Sequence, residues 1–124
     1  MNPFLLKLSA AIALLFCCTM VSAHDFEVGG IYYNIKEDGT CEVTFKGDYP
    51  YADEEYSGSV TIPSEVKFNG NVYSVTGIGE EAFRSCSGLK SVNISSSVKS
   101  IGSRAFSACT DLTDVRLEDG DLPL

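Results

Sequence analysis

The apolar positions in the second half of the chain follow a pattern that occurs twice. Residues 78–86 read Ile-Gly-x-x-Ala-Phe-x-x-Cys, and residues 101–109 carry the same pattern after a period of 23 residues. The match continues as Leu followed by two spaced apolar residues at 89–94 and 112–117. Self-similarity at this period is typical of a solenoid, in which each unit buries its apolar face by stacking on the next.

The first half of each unit predicts a short helical or 3₁₀ segment. Ile78, Ala82 and Cys86 are four residues apart, and Phe83 follows Ala82. One side of such a segment would therefore carry all four side chains. Gly88 then ends the segment.

The second half of each unit predicts a short strand with one buried face. Its apolar positions are Leu89, Val92 and Ile94, and the last three residues alternate between the two faces. Stacking of the units would form ladders of like side chains, with Phe83 over Phe106, Ile78 over Ile101 and Cys86 over Cys109. Packing alone explains these repeated residues, so they indicate no further role.

Residues 89–109 resemble the BspA-like, or Treponema pallidum-type, leucine-rich repeat, and the twice-present Ile-Gly-x-x-Ala-Phe-x-x-Cys block is the specific part of the match. A diverged copy at 60–66 keeps the proline usual after the strand, as Pro63, whereas Ser95 replaces it later. The resemblance covers roughly 60–117. It implies an α+β repeat fold, a short leucine-rich-repeat solenoid, and an association with surface attachment and binding of host or matrix proteins.

Two further segments predict β-hairpins. Asn69-Gly70 between β-prone flanks is typical of a tight two-residue turn. Near the N-terminus, two alternating runs flank a turn at 37–40, with inward positions at Ile31, Tyr33, Ile35, Cys41, Val43 and Phe45. We interpret this hairpin as an N-terminal cap over the first coil. A polar, aromatic loop follows it at 48–56.

The N-terminus predicts a secretory signal peptide. Lys7 precedes an apolar run from Leu8 to Val21, and Val21-Ser22-Ala23 is a small-residue cleavage pattern. We expect cleavage after Ala23 and no integral membrane segment afterwards. Lipid attachment at Cys17 or Cys18 is the alternative, although Leu15-Phe16 does not fit a lipobox. The chain then divides into a signal peptide at 1–23, a β-rich cap at 24–59, and repeats with a short acidic tail at 60–124.

The charge of the chain excludes two classes of partner. The net charge is −8, and loss of Lys7 with the signal peptide takes it to −9. Nucleic acid needs clustered Lys and Arg, so it is not an expected partner. Adsorption to anionic lipid is disfavoured for the same reason.

The residues needed for catalysis or metal binding are sparse. His24 is the single histidine, so no base serves a Ser or Cys nucleophile, and a copper site would lack its second imidazole. The carboxylates Asp48, Asp53, Glu54 and Glu55 match no EF-hand spacing. We therefore predict a non-enzymatic protein without a cofactor or metal.

Three cysteines follow the predicted signal peptide, at Cys41, Cys86 and Cys109. Cys86 and Cys109 are repeat-equivalent, so their Cα atoms would lie near the separation that a disulfide needs. A buried cysteine also behaves as a small apolar residue, and a core ladder explains both positions without a bond. We favour the ladder and leave the bridge as the alternative.

Two groups of residues are candidates for ligand contact. The outward positions of the predicted strands are Ser91, Asn93, Asp114 and Arg116. The second group is Tyr49, Tyr51 and Tyr56 in the polar loop, and we favour the alternative that they pack over the first coil. The expected ligand is a protein or surface glycoprotein, which makes the chain a secreted or cell-surface binding and adhesion module.

The C-terminal end of the repeats has no evident cap. About two and a half units are present, fewer than a stable solenoid usually has, and residues 118–124 are acidic and short. An uncovered last coil would expose Leu117 and its neighbours, which favours end-to-end self-association. The alternative function is therefore that of a short structural or truncated fragment that assembles with other repeat proteins.

Overall fold

A computed structural model describes residues 24–47 and 56–118. The predicted signal peptide, Tyr49, Tyr51 and the end of the acidic tail lie outside these residues. The described part forms nine strands: β1 (Phe26–Val28), β2 (Ile31–Ile35), β3 (Cys41–Thr44), β4 (Gly58–Ile62), β5 (Glu65–Phe68), β6 (Asn71–Ile78), β7 (Leu89–Ile94), β8 (Ser100–Ile101) and β9 (Asp114–Leu117).

The first three strands form an antiparallel meander in which β2 pairs with both β1 and β3. The β2–β3 turn is closed by Asp38, whose Oδ1 accepts bonds from the Thr40 N–H at 3.0 Å and the Thr40 hydroxyl at 2.6 Å. Gly39 supplies the left-handed backbone that this turn needs, with φ +87°. The strand pair lies where the alternating residues predict it, and its role as a cap stays a prediction.

Two of the predicted inward positions of this hairpin differ from the sequence prediction. The first is Ile35, which is 42% exposed. The second is Phe45. β3 ends at Thr44, and Thr44 is buried while Phe45 is half-buried. The cause is Tyr56, whose hydroxyl donates to the Thr44 carbonyl at 2.7 Å and accepts from the Tyr32 N–H at 3.0 Å. The chain returns over β3 at this point and covers Thr44.

The meander continues into the repeats through β6. β3 and β6 are parallel, β6 pairs antiparallel with β5, and β8 pairs parallel with β6. Asn69 and Gly70 connect β5 to β6 with φ of 52° and 81°. Positive φ at both central residues is the requirement of a type I′ hairpin turn, so the Asn-Gly prediction is confirmed.

A second sheet contains one strand from each coil, in the order β4, β7, β9. All three strands are parallel, with Val60, Val92 and Val115 in one row and Ile62, Ile94 and Leu117 in another. These rows are the apolar strand positions that the repeat predicts. The solenoid is therefore built as expected on its strand side.

The segment between β6 and β7 is a series of turns and not the predicted helical or 3₁₀ segment. Alternate N–H groups close turns within the coil, from Ala82 to Gly79, from Arg84 to Glu81 and from Cys86 to Phe83. The N–H groups between them donate to the next coil at 2.8–3.0 Å, from Glu81 to Ser103, from Phe83 to Ala105 and from Ser85 to Ser107. A helix keeps its N–H groups within itself, so the bonds between coils replace it.

The backbone angles of this segment repeat with the sequence. Glu81 and Ser85 have φ of 60° and 64°, and the equivalent Arg104 and Ala108 have φ of 56° and 61°. A right-handed helix contains no such left-handed residues. The turn conformation is therefore a property of the repeat itself.

The glycine in the second copy of the Ile-Gly block is required by the close approach of the two coils. A Cβ added at Gly102 would lie 2.5 Å from the backbone nitrogen of Glu80 and 2.7 Å from its Cα. The Gly102 N–H also donates to the Ile78 carbonyl at 2.8 Å. Gly102 thus allows the two coils to approach to backbone contact.

The core is one cluster that runs from the meander through the coils. Phe83 lies fully buried between Phe106, at a ring distance of 5.2 Å, and Tyr56, at 4.7 Å. The predicted phenylalanine ladder is therefore present. Because no further coil covers the last one within the described residues, equivalent core positions differ in exposure: 1% at Ile78 against 50% at Ile101, 0% at Val92 against 48% at Val115, and 1% at Ile94 against 68% at Leu117.

Candidate functional site: the outer face of the parallel sheet

The outer face of β4, β7 and β9 is the first candidate for ligand binding. Since side chains alternate along each strand, the residues between the core positions point outward. The registers align them in two rows, Ser59 with Ser91 and Asp114, and Thr61 with Asn93 and Arg116. Four of the six side chains are small and neutral, and the other two, Asp114 and Arg116, carry one charge each on β9, so the face is hydrophilic.

Hydrogen bonds across the strands hold these side chains in place. The Ser59 and Ser91 hydroxyl oxygens are 2.7 Å apart, and Asn93 Nδ2 donates to Thr61 Oγ1 at 3.3 Å. On β9, Arg116 Nη2 lies 3.5 Å from Asp114 Oδ2. The face therefore offers ordered hydroxyl and amide groups over β4 and β7 and one ion pair over β9.

The structure brings four of the predicted contact residues together: Ser91, Asn93, Asp114 and Arg116. Tyr49 and Tyr51 lie outside the described residues, and Tyr56 is buried against Phe83, so it packs over the coil and is not a surface contact. Sequence reasoning missed Ser59 and Thr61, which complete the two rows. The alternation of Val60 and Ile62 was the available signal, but only the strand register shows which neighbours these two residues meet.

A hollow of about 490 Å³ lies beside the edge of β4 on which no described strand pairs. It is bounded by the Gly29-Gly30 turn between β1 and β2 on one side, and by Ser59, Val60 and Thr61 on the other. The hollow adjoins the outer face because Ser59 and Thr61 belong to both. A ligand on the sheet would thus meet a depression at its N-terminal edge.

The three described cysteines form no disulfide bond with one another. Burial, with a smaller contribution from the Glu42 charge, raises the pKa of the Cys41 thiol to about 11. Burial also raises the pKa of the Cys109 thiol, and its Sγ donates to the Phe83 carbonyl at 3.0 Å. The thiols of Cys41 and Cys109 therefore stay protonated at neutral pH and are poor nucleophiles. Cys86 and Cys109 occupy the ladder without a bridge.

His24 packs against the meander. Its Nδ1 lies 2.8 Å from the Lys46 carbonyl oxygen, and its ring meets the Tyr32 ring edge-on at 4.9 Å. Within residues 24–47 and 56–118, no three His, Cys, Asp or Glu side chains are grouped as a metal site requires. The same residues contain no helix of the length and apolarity needed to cross a membrane.

The family described as the BspA type leucine-rich repeat region, with six copies, matches residues 51–122. No curated protein is similar to the chain at a significant level. The match includes β4 to β9 and therefore the whole outer face.

Several solved structures are similar to the chain. A leucine-rich repeat protein from Bacteroides ovatus is 35% identical over 74% of this chain, with a TM-score of 0.63. A leucine rich cell surface protein from Faecalibacterium prausnitzii is 27% identical over 82%, with a TM-score of 0.61, and the T. pallidum leucine rich repeat protein is 27% identical over 77%, with a TM-score of 0.57. The chain spans 23%, 24% and 40% of these three proteins, respectively.

Proposed function

Because the chain belongs to the BspA-type leucine-rich repeat family, we propose that it is a non-catalytic, secreted or cell-surface module that binds a protein or surface glycoprotein through the outer face of β4, β7 and β9. The observation that carries the proposal is the pair of aligned polar rows on this face. Solenoids use such extended faces of successive repeats for binding.

The chemistry of the face favours a hydrogen-bonding ligand. Ser59, Ser91, Thr61 and Asn93 present hydroxyl and amide groups, which both donate and accept. The described part of the face has no aromatic side chain, so a deep apolar anchor is not its mode of contact. Polar peptide segments and the hydroxyl groups of glycans both fit this surface.

The β9 end of the face adds a charged contact. Asp114 and Arg116 lie side by side and mostly exposed, so their charges remain available to a ligand. The Arg116 guanidinium suits a carboxylate on the ligand, because its planar group donates two parallel hydrogen bonds. Tyr49 and Tyr51 belong to the proposal as a separate contact group, since tyrosine offers an apolar body and a polar tip.

Two features support export and an absence of catalysis. The N-terminal segment has the charge, apolar run and small-residue pattern of a signal peptide, and a relative in F. prausnitzii is described as a cell surface protein. The buried thiols of Cys41 and Cys109 have raised pKa values, which leaves them protonated rather than reactive.

The proposal is tested by binding of the exported protein to immobilised fibronectin, laminin, collagen and mucin. The variant Ser91→Arg with Asn93→Arg places two large side chains on the central strand, and we expect at least about tenfold weaker binding because they prevent close approach. The matched control is Glu65→Arg with Ser74→Arg, two exposed positions that are register partners on β5 and β6.

Retained binding by the Ser91 and Asn93 variant, with both variants folded by circular dichroism, contradicts the proposed face. Equal loss in the control contradicts it as well. Loss on substitution of Tyr49 and Tyr51 by Ala, with the sheet variant unaffected, places the contact in the polar loop instead. The intact mass of the exported protein tests the signal peptide, and a mature chain that begins at His24 is expected.

A further inference from the structure

The C-terminal end of the solenoid presents an apolar surface. Ile101, Val115 and Leu117 are exposed although their equivalents one coil earlier are core residues. A groove of about 340 Å³ lies at the same place, and its lining includes Ile94, Val98, Lys99, Ile101 and Leu117. Monomeric proteins seldom expose a contiguous apolar surface of this kind without a partner for it.

The same end has an open strand edge. β9 pairs with β7 on one side, and no described strand lies on its other side. A strand edge without a partner is a template for another strand, because its N–H and C=O groups are already aligned. The partner of this end must therefore supply a strand as well as apolar side chains.

The charges of the chain are unevenly distributed. Residues 24–59 carry nine carboxylate side chains against two lysines, whereas residues 99–124 carry five carboxylate side chains against three basic side chains. Two copies of an acidic protein repel each other least when their less acidic ends meet and their more acidic ends lie apart. The charge distribution thus favours contact between two C-terminal ends over contact between unlike ends.

We propose that β9 pairs with the partner subunit's β9, antiparallel and about a two-fold axis at Val115, to form an end-to-end dimer. A two-fold contact is self-complementary, since the same surface serves both subunits. The axis is perpendicular to the sheet, so the core faces of both subunits stay on one side. Val115 then lies opposite the partner's Val115, and Leu117 lies opposite the partner's Thr113 with the partner's Val115 diagonal to it. This inference goes beyond the proposed ligand-binding function.

The charges on β9 select one register. In an antiparallel strand pair, the residues whose backbone N–H and C=O groups face the other strand lie opposite each other. In a two-fold dimer of β9, even-numbered residues therefore lie opposite even-numbered residues, and odd-numbered residues opposite odd-numbered ones. The central registers therefore place Asp114 opposite the partner's Asp114, Arg116 opposite the partner's Arg116, or Asp114 opposite the partner's Arg116. Opposite charges across a strand pair are stabilising and like charges are destabilising, so the third register, centred on Val115, is favoured.

The turn side of the last coil does not take part in this contact. One coil earlier, Glu81, Phe83 and Ser85 donate their N–H groups to the next coil. Their equivalents, Arg104, Phe106 and Ala108, have no acceptor among the described residues. Two copies would present donors to donors here, so these amides stay hydrated while the strand side closes.

The experiment is sedimentation equilibrium of the protein expressed from the full chain, over a wide range of concentration. We expect a monomer–dimer equilibrium. Arg116→Asp and Asp114→Arg each replace two attractive contacts by two repulsive ones, so each weakens the dimer by at least about tenfold. The double variant Asp114→Arg with Arg116→Asp restores it, and so does mixing the two single variants, which form a heterodimer.

The controls are Glu65→Arg and Lys67→Asp, which make the same types of change on the edge strand β5. Neither should alter the dissociation constant. Amide exchange gives a second readout: dimer formation protects the amides of Val115 and Leu117 and leaves those of Phe106 and Ala108 unprotected.

Four results overturn the proposal. The first is a folded monomer at every concentration. The second is a dimer whose dissociation constant does not change on substitution of Asp114 or Arg116. The third is dimerisation that appears only after Leu122→Asp with Leu124→Asp, which shows that the chain's own tail covers the groove. The fourth is protection of the amides of Phe106 and Ala108 in place of those of β9, which indicates an occupant with a row of carbonyl groups, such as a coil of another repeat protein. Ligand binding through Ser91 and Asn93 is measured separately, so either hypothesis can fail alone.

Discussion

Phe83 is the residue whose truncation should weaken this fold most. Its side chain is 0% exposed and lies between the rings of Tyr56 and Phe106, at 4.7 Å and 5.2 Å. Truncation of a buried Phe to Ala costs about 3–5 kcal/mol in total, and two aromatic pairs, worth about 0.5–1.5 kcal/mol each beyond the area term, place Phe83 in the upper part of that range. We expect Phe83→Ala to lower the free energy of unfolding by about 4–5 kcal/mol, a large part of the roughly 5–15 kcal/mol available to a small domain.

Phe106 is a matched control within the same chain. It holds the same position in the repeat, but it is only half-buried and stacks on one ring, that of Phe83. A half-exposed ring loses only part of its transfer free energy on truncation, so Phe106→Ala should cost about 1–2 kcal/mol. The difference between the two variants measures how far the last coil is covered in the monomer.

Urea unfolding followed by far-ultraviolet circular dichroism gives both values, and the chain has no tryptophan to provide a fluorescence signal. The measurement is made at low protein concentration, so that association does not add to the stability of the last coil. A cost below about 1 kcal/mol for Phe83→Ala would refute the continuous core, because a buried aromatic ring cannot be removed at so small a loss. Equal costs for Phe83→Ala and Phe106→Ala would refute the open last coil.

Four further predictions concern single positions. Tyr56→Phe should cost about 1–3 kcal/mol in urea unfolding, because its hydroxyl joins two buried backbone groups. Tyr33→Phe should leave the stability unchanged or raise it, because the Tyr33 hydroxyl is buried with no hydrogen-bond partner among the described residues, and a loss above about 1 kcal/mol would contradict this. Gly102→Ala should lower the melting temperature by several degrees, because the new Cβ would lie 2.5 Å from the Glu80 backbone nitrogen, whereas an unchanged melt would show that the coils can separate. The pKa of Cys41 is about 11 in the folded protein against 9.0 ordinarily. This shift contributes stability that is fully present below pH 9 and is lost as the pH rises to 11. Cys41→Ala should flatten this alkaline decline in stability, and an unchanged pH profile would exclude Cys41 as its source.

Local sequence patterns predicted the repeat, its strands, and the hairpins at residues 31–45 and around Asn69-Gly70. The Asn69-Gly70 hairpin follows from the backbone angles that these two residues readily adopt, and the β7 strand follows from alternating apolar positions. The family resemblance rests on the Ile-Gly-x-x-Ala-Phe-x-x-Cys block and is confirmed by the family match. The four outward residues of β7 and β9 share one face because side chains alternate along each strand.

The departures from prediction depend on contacts between coils. The spacing of Ile78, Ala82 and Cys86 fits a helix as well as a series of turns, and the choice is made by the N–H groups of Glu81, Phe83 and Ser85, which bond to the next coil. Thr44 is buried because Tyr56 returns over it from outside the local sequence.

The sequence by itself determined the period of the solenoid and the two faces of its strands, because both follow from residues that are neighbours in the chain. Only the tertiary structure decided that Ser59 and Thr61 complete the polar rows, and that equivalent residues differ in exposure, as Ile94 does from Leu117. The physical reason is that burial and register depend on the presence of the next coil, whereas the repeated sequence is the same whether that coil is present or absent.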